Sequence, residues 1–265
     1  RIIDSPRDRL LAILTNNLVP CNGRFPILIV MGSIMAGAVI GTQMTSFYAV
    51  LIVLIALVMS VLATLLISRL LTATMLRGEP SFFILELPPY RRPQIGTVLV
   101  RSFLDRTLTV LWRAVVVAAP CGLITWVLAN VWLQDQTLFT HLSLWLQPIG
   151  EMMGLDGVIL LAFILGIPAN EIVLPIIVMG YVSGGALVEV GGISQLHALF
   201  TANGWTWVTA LCTALFCLFH FPCSTTLLTI KKETGSLKWT LAAFGLPVLI
   251  GMLLCALAAA LGRLL

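Results

Sequence analysis

The sequence predicts an all-α polytopic transmembrane helical bundle with a broken or re-entrant helix and a cytoplasmic amphipathic helix. Three observations carry that reading. Of 265 residues 59% are hydrophobic and only 10% charged, against about 25% charged in soluble domains, so there is too little polar surface to cover a water-facing globule. The mean hydropathy is +1.05. The apolar residues also run continuously rather than alternating, which fits helical spans and disfavours a barrel. A soluble enzyme, a disordered chain and a coiled coil are excluded. At ~20 apolar residues per span, about five to seven crossings are expected in one domain.

The net charge of +4 is informative through its placement. Eleven of the fifteen Lys and Arg lie between Arg1 and Arg113, and none lies from Val115 to Ile230, where Asp135, Glu151, Asp156, Glu171 and Glu189 fall. This asymmetry places the basic stretches in the cytoplasm and the acidic ones outside, and no nucleic-acid partner is expected. The chain opens on Arg1 without a signal-peptide pattern and reads as a fragment or processed piece of something longer. Its six cysteines lie in or beside apolar segments, so no disulfide framework is expected.

The first apolar run, 25–41, is short for a span and carries Gly32, Gly37 and Gly41, which permit close helix approach. With the second, 47–67, it forms a hairpin across a tight outside turn at 42–46. Residues 69–113 form a cytoplasmic elbow and interfacial helix. Three prolines, Pro88, Pro89 and Pro93, bar a regular helix at its centre, and Thr97, Arg101, Asp105, Thr109 and Arg113 then make a polar stripe on an apolar helix. The third span, 115–132, has Trp126 and Trp132 toward its outer end, and 135–153 is expected to be a polar outside loop. In the fourth region Gly166 and Pro168 interrupt an apolar stretch, so the helix should break near membrane depth over 166–171. That region is expected to re-enter from one face, with a second crossing through 182–202 as the alternative. Spans at 205–221 and 239–261 follow, with the side of the C-terminus left open.

Two Pro-Cys elements, at Cys21 and Cys223, are placed at membrane edges, each followed by small polar residues that free backbone carbonyls beside a thiol. Unwound backbone with a polarizable side chain is how transporters build ion sites; each Cys read alone is equally a small buried hydrophobe. His220, three residues before Cys223, could face the same way and suit a transition metal, or be an interfacial polar group. Glu171 is an acid embedded between two apolar halves, with the Asn170 amide beside it. A carboxylate there marks a pathway or a buried partner, although the pair would also serve as an N-cap. Cys217 and Cys255 read as packing residues. No phosphate-binding loop, zinc-protease motif or nucleophile elbow is present.

These stretches together resemble the membrane domain of the bacterial ferrous iron transport protein B family: residues 1–11 and 17–26 (NLVPCNGRFP), 77–93 (RGEPSFFILELPPYRRP), 166–175 (GIPANEIVLP) and 219–226 (FHFPCSTT). The resemblance implies a permease domain, 1–265, with two gate regions similar to those of nucleoside-recognition proteins and a cysteine in each, here Cys21 and Cys223, as transient Fe(II) ligands. Asn170, Glu171 and His220 join them as expected pathway residues. It further implies a multi-pass protein of the bacterial inner membrane that is not itself an enzyme, with Fe(II) as transported substrate and no permanently bound cofactor. The expected partners are Fe(II), membrane lipid and the GTPase domain of the full-length protein, with a small cytoplasmic accessory protein and a homo-oligomer as open candidates. The family's GTPase domain and a further gate cysteine upstream of this chain are not encoded in it. The rival readings are a nucleoside or organic-solute permease of the gate type and a non-transporting membrane scaffold.

Overall fold

In lipid no water satisfies backbone polar groups, so an apolar chain of this kind must close its hydrogen bonds within helices. The computed structural model describes residues 3, 5–40, 45–74, 96, 100–133, 135–182 and 192–264. Among these, the elements in order are α1 (Pro6–Thr15), α2 (Phe25–Ile40), α3 (Thr45–Thr74), α4 (Thr109–Asn130), the strands β1 (Trp132–Leu133) and β2 (Gln136–Thr137), α5 (Leu138–Met152), α6 (Gly157–Leu165), α7 (Val173–Val182), α8 (Ile193–Ala202), α9 (Trp207–Phe219), α10 (Ser224–Thr234) and α11 (Leu237–Leu264). The proline elbow at 88–93 and the turn at 41–44 lie outside the described residues. What is described of the stripe helix is a π-helical stretch, Ser102–Leu108, running into α4.

Among the described residues, four helical stretches are long and apolar enough to cross a membrane: Arg7–Gly37, Phe47–Thr74, Trp207–Thr234 and Leu237–Arg263. A fifth is added if α5 and α6, bent by 108°, count as one. The count thus falls at or below the low end of the range expected from length. The first run is also not a short arm. Together with α1 it makes a 31-residue stretch broken near its middle, where Pro20 cannot donate and Cys21 is extended. The second Pro-Cys element likewise interrupts α9–α10, a stretch of 28 residues. Both cysteines therefore lie at breaks within these apolar stretches and not at their ends.

The expected outside loop at 135–153 is mostly helix. Thr137 caps α5 by accepting from the backbone N–H of Thr140, and Phe139, Ser143, Leu146 and Gly150 bury one face at helical spacing. Gly150 and Gly157 let α5 and α6 meet backbone to backbone: a Cβ on Gly157 would lie 1.8 Å from the Ser143 carbonyl oxygen. Periodicity was present in this segment, but its Gln, Glu and Thr residues masked it.

Residues 166–169 are non-helical, as Gly166 and Pro168 predict, and a 3-10 turn, Asn170–Ile172, leads into α7. The start of α6 and the end of α7 lie together. Tyr181 donates its hydroxyl to the Asp156 carboxylate, and a Cβ on Gly180 would meet Val158 at 2.6 Å. Trp205 Nε1 in turn donates to the Tyr181 hydroxyl at 2.7 Å, so the chain is back at the same end after 182–204. The α6–α7 pair is thus a helical hairpin with its tip at 166–172, the shape expected of a re-entrant element. Its core packs Ile159, Phe163, Val173 and Ile177 among Met31, Phe216 and Phe219, all buried. The outward faces of α3 and α11 leave Leu54, Leu62, Leu66, Leu249, Leu253 and Leu257 exposed, the composition of a lipid-facing surface. Arg263 donates to the Glu151 carbonyl, which sets the end of α11 beside the α5–α6 turn.

Candidate functional site

Three segments that interrupt the α-helices meet in the interior: the break at 19–24, which closes on a 3-10 turn at Asn22–Arg24, the hairpin tip at 166–172 and the break at 220–223. Breaking a helix leaves carbonyls without partners, and one side chain collects them. Arg24 is 1% exposed. Its Nη1 donates to the carbonyls of Asn17 at 3.0 Å and Leu218 at 2.9 Å; its Nη2 donates to the carbonyls of His220 and Phe221, both at 3.3 Å, and to Asn17 Oδ1 at 3.2 Å. Asn17 Nδ2 adds a bond to the His220 carbonyl at 2.9 Å, and the Ser224 amide donates to the Ile167 carbonyl at 2.9 Å. A planar five-donor guanidinium suits this fan of acceptors, which an ammonium would not span. Arg24 is thus an internal brace and not one of the cytoplasmic surface charges that a count of basic residues made it.

A cavity of about 730 Å³ adjoins these breaks, lined among others by Cys21, Pro168, Asn170, Glu171, Cys223, Thr225 and Thr226. Four of the five residues expected from the sequence thus share one cavity. Cys21 is exposed to it, and Cys223 is half-buried with its sulfur 3.1 Å from the hydroxyls of both Thr225 and Thr226. Asn170 is not an N-cap: Ala169 holds that position, and the Asn170 amide nitrogen donates to Cys21 Sγ at 3.6 Å. Glu171 lies against the backbone of Gly23, where a Cβ would come within 2.6 Å of its Oε1. Any larger residue at 23 would displace the carboxylate.

His220 is the exception. It is 1% exposed, its own backbone is extended and residues 221–223 belong to no helix, so it shares no helical turn with Cys223. Nδ1 lies 2.8 Å from the Cys217 carbonyl and Nε2 3.2 Å from Asn170 Oδ1. The neutral ring has one N–H to donate, so its tautomer decides which of these two oxygens accepts it; the ring lies 5.0 Å from that of Phe163. It joins α9 to the hairpin tip. Cys212, Cys217 and Cys255 are wholly buried and bond to backbone carbonyls, Cys212 and Cys255 to each other's. All six cysteines are free thiols. Among the described residues no group of three or more His, Cys, Asp or Glu converges as a metal cage. Arg24, Asn17 and Gly23 escaped the sequence reading; the available signal was a charge set between a proline break and an apolar run.

The chain matches the family model described as ferrous iron transport protein B C terminus over residues 44–105, and the gate model described as nucleoside recognition over 111–237. Over its whole length the chain is similar to ferrous iron transport proteins of type B. Among its curated relatives, a protein named Fe(2+) transporter FeoB from Methanocaldococcus jannaschii is 27% identical over all of this chain and 39% of its own length. Proteins of the same name from Staphylococcus aureus (27% identical, 96% of this chain, 36% of the relative) and Leptospira interrogans (24%, 92% and 38%) are similar over nearly as much. The chain therefore spans less than two fifths of the length of these relatives. No solved structure matches it significantly. The gate match contains Asn170, Glu171, His220 and Cys223, whereas Cys21 and Arg24 lie outside both matched segments and are tied to the gate by the contacts above.

Proposed function

We propose that the chain is a single membrane permease domain that passes ferrous iron across the bacterial inner membrane into the cytoplasm, through the cavity where the three broken elements meet. The observation that carries this reading is the sharing of that cavity by Cys21 and Cys223, two thiols from different broken spans, with Asn170 and Glu171 from the hairpin tip. Thiolates favour a transition metal over Mg²⁺ or Ca²⁺, and amide and carboxylate oxygens complete its shell. A conducting site must replace hydration and still let go, so a few ligands on separate elements serve better than a closed cage. His220 acts here by holding Asn170 and not as a ligand. The relatives' names and their greater length support Fe(II) as substrate and a GTPase domain joined to this one; a small accessory protein and a homo-oligomer are further proposed partners, and the chain itself performs no enzymatic step.

A nucleoside or similar solute is the second reading, favoured by the gate match and by a volume within the ~300–1,000 Å³ of small-molecule pockets. No aromatic ring is among the described residues lining the cavity, so a base would find no stacking partner. Purified protein in liposomes decides: Fe(II) influx upholds the proposal, uridine influx without Fe(II) influx favours the second reading, and neither leaves a scaffold.

A further inference from the structure

The cavity does not end at the thiols. It continues along α10 past Thr225, Thr226 and Thr229 to Glu233, positions that fall on one face of a helix. The hydroxyls of this face are already hydrogen-bonded along the helix. The Thr225 and Thr226 hydroxyls both stand 3.1 Å from Cys223 Sγ, to which they donate when the sulfur is a thiolate, and the Thr229 hydroxyl donates to the Thr225 carbonyl at 2.9 Å. Each hydroxyl then turns lone pairs and no proton toward the open space. Such a row of oxygens suits a hydrated divalent cation. Its last member is a carboxylate in the final turn of α10, at the end that carries Lys231 and Lys232; Arg9 of α1 lines the same cavity.

Resting on the ferrous-iron reading of the cavity, we propose that this face of α10 is the inward exit path, on which a divalent cation leaving Cys223 is passed across the Thr225, Thr226 and Thr229 hydroxyls and collected by Glu233. The order of ligands gives the path its direction. Thiols bind a transition metal more tightly than hydroxyl oxygens do, so each step away from Cys223 exchanges a protein ligand for water, and a carboxylate at the mouth keeps the departing cation from being stranded among neutral groups.

The test measures Fe(II) uptake into liposomes by the purified protein carrying Thr229→Val, Glu233→Gln, Glu233→Asp or Lys232→Glu, with membrane insertion and thermal unfolding followed for each. Thr229→Val keeps the shape and removes the oxygen. It and Glu233→Gln are expected to lower the maximal rate about tenfold, the effect of losing one charge-assisted contact, with unfolding unchanged. Glu233→Asp should retain most of the rate, and Lys232→Glu, a charge change off the cavity face, should not lower it. Wild-type uptake left intact by both Thr229→Val and Glu233→Gln overturns the exit path while leaving the cavity reading in place. Absence of Fe(II) uptake by the wild type overturns the cavity reading itself, and the exit path with it.

Discussion

Nε2 of His220 lies 3.2 Å from Oδ1 of Asn170, joining the end of one broken span to the tip of the α6–α7 hairpin. Because the other end of the Asn170 amide faces Cys21, this contact lines up all three breaks between α-helices. Asn170→Leu, close in volume, would leave Nε2 of the buried imidazole without its polar neighbour. It is expected to destabilise the protein by about 1–3 kcal/mol and to lower Fe(II) uptake, read together by thermal unfolding in detergent and by flux. Unfolding equal to wild type would show that the contact holds nothing.

Arg24 holds four backbone carbonyls and the Asn17 side chain. Arg24→Met should cost more than about 3 kcal/mol, since several buried acceptors lose a charged donor at once. Arg24→Lys should rescue little of it, because three tetrahedral donors cannot reach acceptors arranged for a planar fork. Near-wild-type unfolding of the Lys variant would reduce the brace to a simple charge.

Two glycines separate fold from function. At Gly157 an added Cβ meets the Ser143 backbone at 1.8 Å, whereas at Gly23 it meets only the flexible end of Glu171 at 2.6 Å. Gly157→Ala should therefore lose about 3 kcal/mol or more by forcing two helices apart. Gly23→Ala should unfold like wild type and transport less Fe(II), because it displaces the carboxylate. Equal loss of stability in both would refute the distinction.

Topology offers an independent check. The positive-inside rule places Lys232, in α10, on the cytoplasmic side with the other basic residues and Gln136, in the short hairpin, on the outer side. In a cysteine-free background, Gln136→Cys should react with an impermeant thiol reagent on intact cells and Lys232→Cys only after permeabilisation. Arg263, bonded to Glu151, puts the end of α11 on the Gln136 side, so Arg263→Cys should react without permeabilisation. Reaction of Gln136→Cys and Lys232→Cys from one side would sink this arrangement.

What could be read from the sequence follows the reach of each signal. Hydropathy identified the bundle because a span needs a long local run of apolar residues, and Pro168 located the hairpin tip because a missing N–H breaks a helix wherever it falls. That Cys21 and Cys223 fall within long apolar stretches was not legible: the polar turn after each resembles an interfacial loop, and only the helix that resumes beyond it joins the two halves. Helix α5 was missed because polar residues share its surface with Phe139 and Leu146. Arg24 was invisible as a brace, since its partners at Leu218, His220 and Phe221 lie nearly 200 positions away. No local pattern encodes such a contact.

The central claim is that Cys21 and Cys223 carry the ion while the other thiols only pack. It is tested most directly by Fe(II) uptake into liposomes by the purified protein with Cys21→Ser, Cys223→Ser, Cys217→Ser and Cys255→Ser compared at equal membrane content. Serine keeps the shape but supplies a harder, more strongly protonated ligand. The account predicts that the first two lose most of the uptake and the last two retain it; all four behaving alike would contradict it and leave the thiols as packing residues.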